Sequence, residues 1–359
     1  MFQGNELEII KFVNDDNSQL EFLKNHLREF YTHEILNWQY PFNNYSSGLY
    51  FIKNKEAYLA SQGMLLIYLS VLGKQILTAK SESTFLLREY RGIGIFEKLY
   101  EYTINASEKD GVEIIWGFTA LSNVWRKILK FDVYDGIIHE TVLQTSLIKD
   151  LSNIFLTQTA SSKFKLTLKA LIASIKEIRL KKRNKLFSII ELDIENTAIQ
   201  EKIIEIYQIW QNNHPDNIII TPTKEFFYWR LIKNPKLNYK VVGIYNKEKM
   251  VGIGILNVND PKAYLVDFIV INNNLLSFCL AELLIYIKQN YSSSHLIYWA
   301  NSLNTYTNSI HTLFKSYGAF KYTNNSMNFV VKLSKKSNLQ NIDITKFCLN
   351  GLWTEGFKI

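Results

Sequence analysis

A mixed α/β fold of two tandem units, each a mostly antiparallel twisted sheet flanked by helices, is what this sequence predicts, and three observations predict it. The 359 residues exceed what one hydrophobic core ordinarily holds together. Apolar runs of strand length and helical periodicities follow one another in the same order twice along the chain. Two segments also recur at nearly one offset. Glu34 and Trp38 of His33-Glu34-Ile35-Leu36-Asn37-Trp38 return 191 residues on, in Lys224-Glu225-Phe226-Phe227-Tyr228-Trp229. The turn Asn54-Lys55-Glu56 returns 192 residues on as Asn246-Lys247-Glu248.

The first unit opens with a strand at 7–13 and a helix at 17–31, with a second helix before Trp38-Gln39-Tyr40. Strands at 49–52, 57–69 and 75–87 form a meander through turns at Asn54-Lys55 and Gly73-Lys74. A helix at 92–109, a strand at 113–118 and a short helix leading to Tyr134 follow, and a strand at 138–144 ends the unit. The second unit repeats the order, with strands at 186–193, 239–245, 250–258, 263–271 and 295–300, and others up to residue 333. Its helices are expected at 199–211, 275–291 and 305–317. The expected bounds are 1–150 for the first unit, 151–184 for a linker, 185–335 for the second unit and 336–359 for a tail. That tail docks through Phe347, Leu349, Leu352, Trp353 and Phe357.

Composition narrows the function classes. With 47% hydrophobic and 21% charged residues the chain can bury cores and is not a disordered one. Only Cys279 and Cys348 are cysteines, and no Cys/His cluster has metal-ligand spacing, so no metal is expected. The first residues lack a secretory pattern and no apolar run approaches the ~18 residues of a membrane span, which predicts a soluble, cytoplasmic protein without a transmembrane segment. The net charge of +8 is carried by residues 163–185, where nine basic residues accompany one acid. The remainder is neutral, which argues against nucleic acid as partner. Residues 163–185 read either as a linker helix with a solvated basic face or as a helix that contacts phosphates or a membrane surface.

The chemistry is expected where a strand ends and a helix begins, at Leu86-Leu87-Arg88-Glu89-Tyr90-Arg91-Gly92-Ile93-Gly94-Ile95-Phe96. Glycines there let backbone approach an anion, and a helix N-terminus offers it unpaired N–H groups. An antiparallel meander precedes the loop and no third glycine follows, unlike a dinucleotide fold.

The run Arg91 to Phe96 resembles the acyl-CoA loop of GNAT acyltransferases, Arg/Gln-x-x-Gly-x-Gly/Ala, with Phe96 departing at the last position. The resemblance implies acyl-CoA as co-substrate, bound by Leu86, Leu87, Arg88, Arg91, Gly92, Ile93, Gly94, Ile95 and Phe96, with Asn123 after the fifth strand. It implies that the strand 113–118 splays from the preceding one to admit the pantetheine arm. It also implies an acid that reprotonates the leaving thiolate, for which Tyr134 is the candidate beside a packing role. Glu82, the acid on the strand before the loop, is either the base that takes the amine's proton, or an acceptor contact, or an exposed strand carboxylate paired with a Lys. His33, Trp38, Gln39, Tyr40 and Thr84 are the acceptor-side candidates. His33 also reads as a helix cap, and Trp38 as core because Trp229 repeats it; His139 reads as structural. After the corresponding strand of the second unit stands Asn272-Asn273-Asn274, without Arg or glycines, so no CoA is expected there.

The whole chain is similar to tandem-GNAT N-acyltransferases acting on nucleotide-linked amino sugars, of the dTDP-3-amino-3,6-dideoxyhexose type. This implies a dTDP- or UDP-sugar acceptor and a role in making O-antigen or other surface polysaccharide. A homo-oligomer is compatible with the sequence. The alternatives are acetylation of another small amine, aminoacyl transfer in cell-wall synthesis, and a non-catalytic CoA-binding scaffold.

Overall fold

The computed structural model of the chain describes residues 7–13, 16–41, 45–55, 57–144, 187–259, 261–293, 295–322 and 327–354. The expected basic linker at 151–184 lies outside them. The chain divides into two compact units, Met1–Gly136 with Met327–Asp343, and Ile137–Ser326 with Ile344–Ile359. Mixed α/β architecture with two sheets is as expected from sequence. The units are not contiguous segments, however. They differ from the expected bounds at 150 and 335 in that residues 138–144 belong to the second unit and 328–333 to the first.

In the first unit, β1 (Leu7–Lys11), β2 (Leu49–Asn54), β3 (Ala57–Val71) and β4 (Lys74–Leu86) pair antiparallel in order. β5 (Ile114–Thr119) pairs with β4 in parallel. β6 (Asp132–Tyr134) does not follow β5 directly, because β15 (Asn328–Leu333) lies between them, antiparallel to both. The expected helix at 17–31 is shorter. α1 (Asn17–His26) is capped by Asp16, whose side chain accepts from the N–H groups of Ser18 and Gln19. α2 (His33–Gln39) starts afresh under a Thr32 cap. α3 (Ile95–Lys109) buries Ile95, Leu99, Tyr100, Thr103 and Ala106 at helical spacing. Two cores result. One gathers Ile52, Leu59, Leu86, Ile95 and Leu99; the other gathers Met64, Ala79, Tyr100, Ile115, Trp125 and Val330.

The second unit repeats the pattern. Strand β7 (Ile138–Gln144) joins β8 (Phe187–Glu191), β10 (Tyr239–Asn246), β11 (Lys249–Asn259), β12 (Lys262–Val270), β13 (His295–Asn301) and β14 (Phe320–Tyr322) in the order β14-β7-β13-β12-β11-β10-β8. A two-residue strand, β9 (Ile219–Ile220), lies between β8 and β10 in the chain and outside this sheet's order. Again one pair is parallel, β12 with β13. Its helices are α4 (Thr197–Asn213), α5 (Lys224–Phe227), α6 (Leu276–Asn290) and α7 (Thr305–Ser316).

The repeat legible in the sequence is therefore physical. Thr32 caps α2 through the N–H of Ile35, and Thr223 caps α5 through that of Phe226, at the same offset of 191 residues. Lys55 and Lys247 turn the β2–β3 and β10–β11 hairpins with φ of 54° and 58°, 192 residues apart. A register shift falls between Ile52 and Lys53 in one unit and between Ile244 and Tyr245 in the other, again 192 apart.

Because β15 completes the first sheet, a core substitution late in the chain acts early in it. Val330 is fully buried and paired with Gly117 on one side and Val133 on the other. Val330→Asp buries an unpaired carboxylate and should cost on the order of 4 kcal/mol. Hydrogen exchange checks it: amides of Ile114–Thr119 should lose protection while those of Tyr239–Asn246 keep theirs.

Candidate active site

Strands β4 and β5 are paired over four positions, from Thr78 with Ile114 to Ser81 with Gly117, and the pairing ends there. Beyond it β4 continues to Leu86 against β3, and β5 continues to Thr119 against β15. The two strands thus part into a fork, as the resemblance implies. Gly117 sits at its base, where an added Cβ would lie 3.2 Å from the Ser81 carbonyl oxygen. A side chain there would require the Ser81 backbone to give by a few tenths of an ångström.

Just past the fork β4 bulges. Glu82 stands opposite Gly63 and Phe85 opposite Ser61, so Ser83 and Thr84 face the single residue Gln62. Ser83 holds φ of 50°, a strained value for a non-glycine residue, and polar contacts hold it there. Its Oγ accepts from Tyr40 Oη at 3.0 Å and lies 3.1 Å from Tyr31 Oη. Its carbonyl accepts from Ser61 Oγ at 2.8 Å. Thr84 Oγ1 donates to Gln62 Oε1 at 2.6 Å, and Gln62 Nε2 donates to Ser81 Oγ at 2.9 Å. Tyr40 crosses Gly63 so closely that a Cβ there would fall 2.0 Å from the phenol oxygen.

Glu82 is not an exposed carboxylate. It is buried and ion-paired with Lys80, which is itself buried. The Lys80 ammonium lies 5.7 Å from the Trp116 ring centroid and 5.9 Å from that of Phe118. Lys80, Ser83, Gly63 and Tyr31 escaped the sequence reading. The signal for Lys80 was its spacing, two residues before Glu82 on one strand face.

From Leu86 the chain runs through a 3₁₀ turn, Arg88–Tyr90, into α3. Gly92 and Gly94 hold φ of 79° and 81°, and a Cβ at either would meet nothing within 4 Å. This conformation delays the helix from the expected 92 to Ile95. Gly94 provides no side-chain cap, so the first N–H groups of α3 face outward unpaired by a side chain. Arg91 turns back, its Nε and Nη2 donating to the Leu86 carbonyl at 3.3 Å each. Arg88 and Ile93 are exposed, Leu87 and Phe96 half-buried, and Phe96 stands 5.7 Å from the Tyr100 ring.

The remaining candidates are dispersed. Asn123 is exposed at the entry to a wide π turn, Val124–Ile128. Tyr134 is half-buried on β6, with β15 between its strand and the fork. Burial first, then Asp132 and Asp343, pushes its phenol pKa up, so it carries its proton at neutral pH. His33 opens α2 and its Nε2 lies 3.1 Å from Asn17 Oδ1. Trp38 is buried. Gln39 is 1% exposed, and both its amide atoms are buried without a hydrogen bond among the described residues. His139, in the second unit, lies 3.4 Å from Ser302 Oγ.

In that unit β12 and β13 part after Leu265 with Tyr298. Here the following turn has no positive-φ glycine: Asn272 caps Asn274 and α6 begins from Leu275 in ordinary helical conformation. The segment Ile344–Trp353 packs in this unit, with Asn301 donating to the Leu349 carbonyl and Asn350 to Asp267 at 2.7 Å. Among the described residues no cluster of His, Cys, Asp and Glu could hold a metal ion, and no helix is long and apolar enough to cross a membrane.

Solved structures share this architecture. A conserved protein of Enterococcus faecalis V583, given as a probable N-acyltransferase, superposes with a TM-score of 0.61 at 11% identity, over 92% of this chain and 73% of that one. A GCN5-related N-acetyltransferase of Anabaena variabilis gives 0.58 at 14% identity over 92% and 73%. The N-myristoyltransferase of Saccharomyces cerevisiae with bound myristoyl-CoA gives 0.56 at 14% identity over 90% and 82%. No protein-family model and no curated protein matches the sequence. At these identities the likeness is one of fold: the chain has the two-sheet, tandem GNAT-like architecture of these proteins.

Asp267 makes the second unit's stability depend on pH. Burial raises its pKa to about 6, against hydrogen bonds from Tyr207 and the Phe268 N–H that lower it. The folded state therefore holds the proton more tightly than the unfolded chain. The resulting stabilisation is complete below the ordinary carboxylate value of about 4 and is lost as pH rises through about 6. Relative to Asp267→Asn, which cannot titrate, the native chain should gain up to ~3 kcal/mol between pH 7.5 and pH 4. Paired denaturant melts across that range check the sign.

Proposed function

We propose that the chain is an N-acyltransferase that moves an acyl group from acyl-CoA to a primary amine. The observation that carries this reading is the fork between β4 and β5, which opens directly toward the turn bearing Gly92 and Gly94. That turn fits a pyrophosphate: a Cβ at either glycine would point into open space, and the N–H groups of α3 are presented beside it. Arg88 and the turn would hold the phosphates, and the edge of β4 past Ser81, running to Leu86 and Leu87, would line the pantetheine arm. The bound acyl-CoA supplies a thioester, activated toward a neutral amine. The N-myristoyltransferase of the same fold, solved with myristoyl-CoA bound, supports acyl-CoA as the donor.

In this reading Glu82 receives the proton of the acceptor ammonium, directly or through a water, so that the nitrogen attacks uncharged. Lys80 pairs with this carboxylate and favours its ionised form. Tyr134, protonated at neutral pH, is the candidate to return a proton to the departing thiolate. The proposed acceptor-side residues are Tyr40 and Thr84, which hydrogen-bond at the bulge, and Gln39, His33 and Trp38 on the helix α2 that precedes Tyr40. The unpartnered amide of Gln39 offers one donor and one acceptor face, as a sugar hydroxyl or a pyrimidine edge requires. We take the acceptor to be a nucleotide-linked amino sugar, dTDP- or UDP-borne, destined for surface polysaccharide. The second unit, lacking a glycine turn, binds no CoA.

Thiol release from acetyl-CoA over a panel of nucleotide amino sugars, amino acids and polyamines tests the reading. Release with none of them, together with tight CoA binding, would favour a CoA-binding scaffold. Gly94→Val should abolish CoA binding by calorimetry while leaving the fold intact, because valine tolerates neither the φ of 81° nor the approach of a phosphate. Glu82→Gln should lower turnover at neutral pH by ~10²-fold without weakening CoA, with the deficit shrinking as pH approaches the amine's own pKa. An undiminished rate would remove Glu82 from the base role.

A further inference from the structure

The 192-residue repeat aligns the bulges of the two units. Gly63 faces Glu82, and Ile255, 192 residues on, faces Asp267. Register shifts at both places, between Ser61 and Gly63 and between Ile255 and Leu256. The backbones differ. Ser83 holds φ of 50°, whereas no residue of β12, Lys262–Val270, has a positive φ. Only the unit with the glycine turn keeps a left-handed residue at its bulge.

For a serine that conformation costs roughly tenfold in population, and its surroundings oppose the loss. Tyr31 and Tyr40 are 3% and 5% exposed, and both phenols converge on the Ser83 hydroxyl, at 3.1 and 3.0 Å. Tyr31 stands just before the Thr32 cap of α2, and Tyr40 is the residue that ends that helix. Both ends of α2 are thus tied to one residue of β4. Gly63 leaves the space in which Tyr40 crosses the strand; an isoleucine stands at the matching position of the second unit. Side chains alternate along a regular strand, and an extra residue resets that alternation. Ser83 therefore sets how Glu82, before it, stands relative to Thr84 and the strand edge beyond.

We propose that Tyr31 and Tyr40 are positioning residues for acyl transfer, acting through Ser83. By holding its hydroxyl they keep the bulge in the conformation that presents Glu82 and the edge beyond it to the fork. This role rests on the acyl-transfer reading above and adds to it the groups that aim the strand.

Steady-state thiol release from acetyl-CoA tests it, with whichever nucleotide amino sugar, amino acid or polyamine the native chain uses fastest. Ser83→Ala and Ser83→Gly both lose the hydroxyl, but only glycine adopts φ of 50° freely. Ser83→Ala should turn over about tenfold more slowly than Ser83→Gly, with KM for acetyl-CoA alike in the two. Tyr31→Phe should slow the native chain about fivefold, and slow the Ser83→Gly variant less than about twofold. Should Tyr31→Phe fail to fold, the order of alanine and glycine at residue 83 decides alone. Equal rates for those two, the reverse order, a change confined to KM, or a Tyr31→Phe loss undiminished beside Ser83→Gly overturns the proposal. A native chain that releases thiol with none of the amines refutes acyl transfer itself, and the positioning role with it.

Discussion

The first unit depends on one short parallel contact. Four residue pairs, Thr78 to Ser81 against Ile114 to Gly117, join β4 to β5 in an otherwise antiparallel sheet. A parallel step requires a crossover, which α3 supplies. The crossover in turn requires the chain to leave β4 through a turn that only Gly92 and Gly94 adopt without strain. Where the four pairs end, the strands find other partners, and the gap between them is left with backbone groups on both lips. Closing that gap with further pairing would satisfy the sheet and remove the opening between the strands.

Much of this could be read from residues alone. The glycine turn was legible because its chemistry is local: spacing, helix onset and flanking Arg88 and Arg91 all sit within one short run. The duplication was legible because caps and hairpin turns are also local, so Thr32 with Thr223 and Lys55 with Lys247 preserved it. The exchange of β7 and β15 was not. A strand's alternation records which of its faces is buried, not which neighbour buries it, and residues 138–144 and 328–333 would alternate in the same way in either sheet. The state of Glu82 was open for a similar reason. Pairing of an exposed carboxylate with some lysine is one alternative the sequence offers, but burial of both Glu82 and Lys80 beneath Trp116 and Phe118 depends on contacts far along the chain.

The two units also show two ways of keeping an acid out of water. Glu82 is matched by an ammonium from its own strand, which offsets its charge. Asp267 is matched by neutral donors alone, which solvate the carboxylate without cancelling its charge, so its protonation is left sensitive to the surroundings. A duplicated scaffold can in this way carry one position with two electrostatic characters while its helix caps and hairpin turns recur.

The strand exchange has a consequence for how such a chain is made. Synthesis runs from the N-terminus, and domains ordinarily fold as their last residue emerges. Here β5 waits for a neighbour that ends at Leu333, while nearly all of the second unit is translated in between. During that interval the apolar edge of β5, including Ile115 and Trp116, lacks its final cover on the ribosome. The first sheet is therefore completed only after the chain has returned from the second unit.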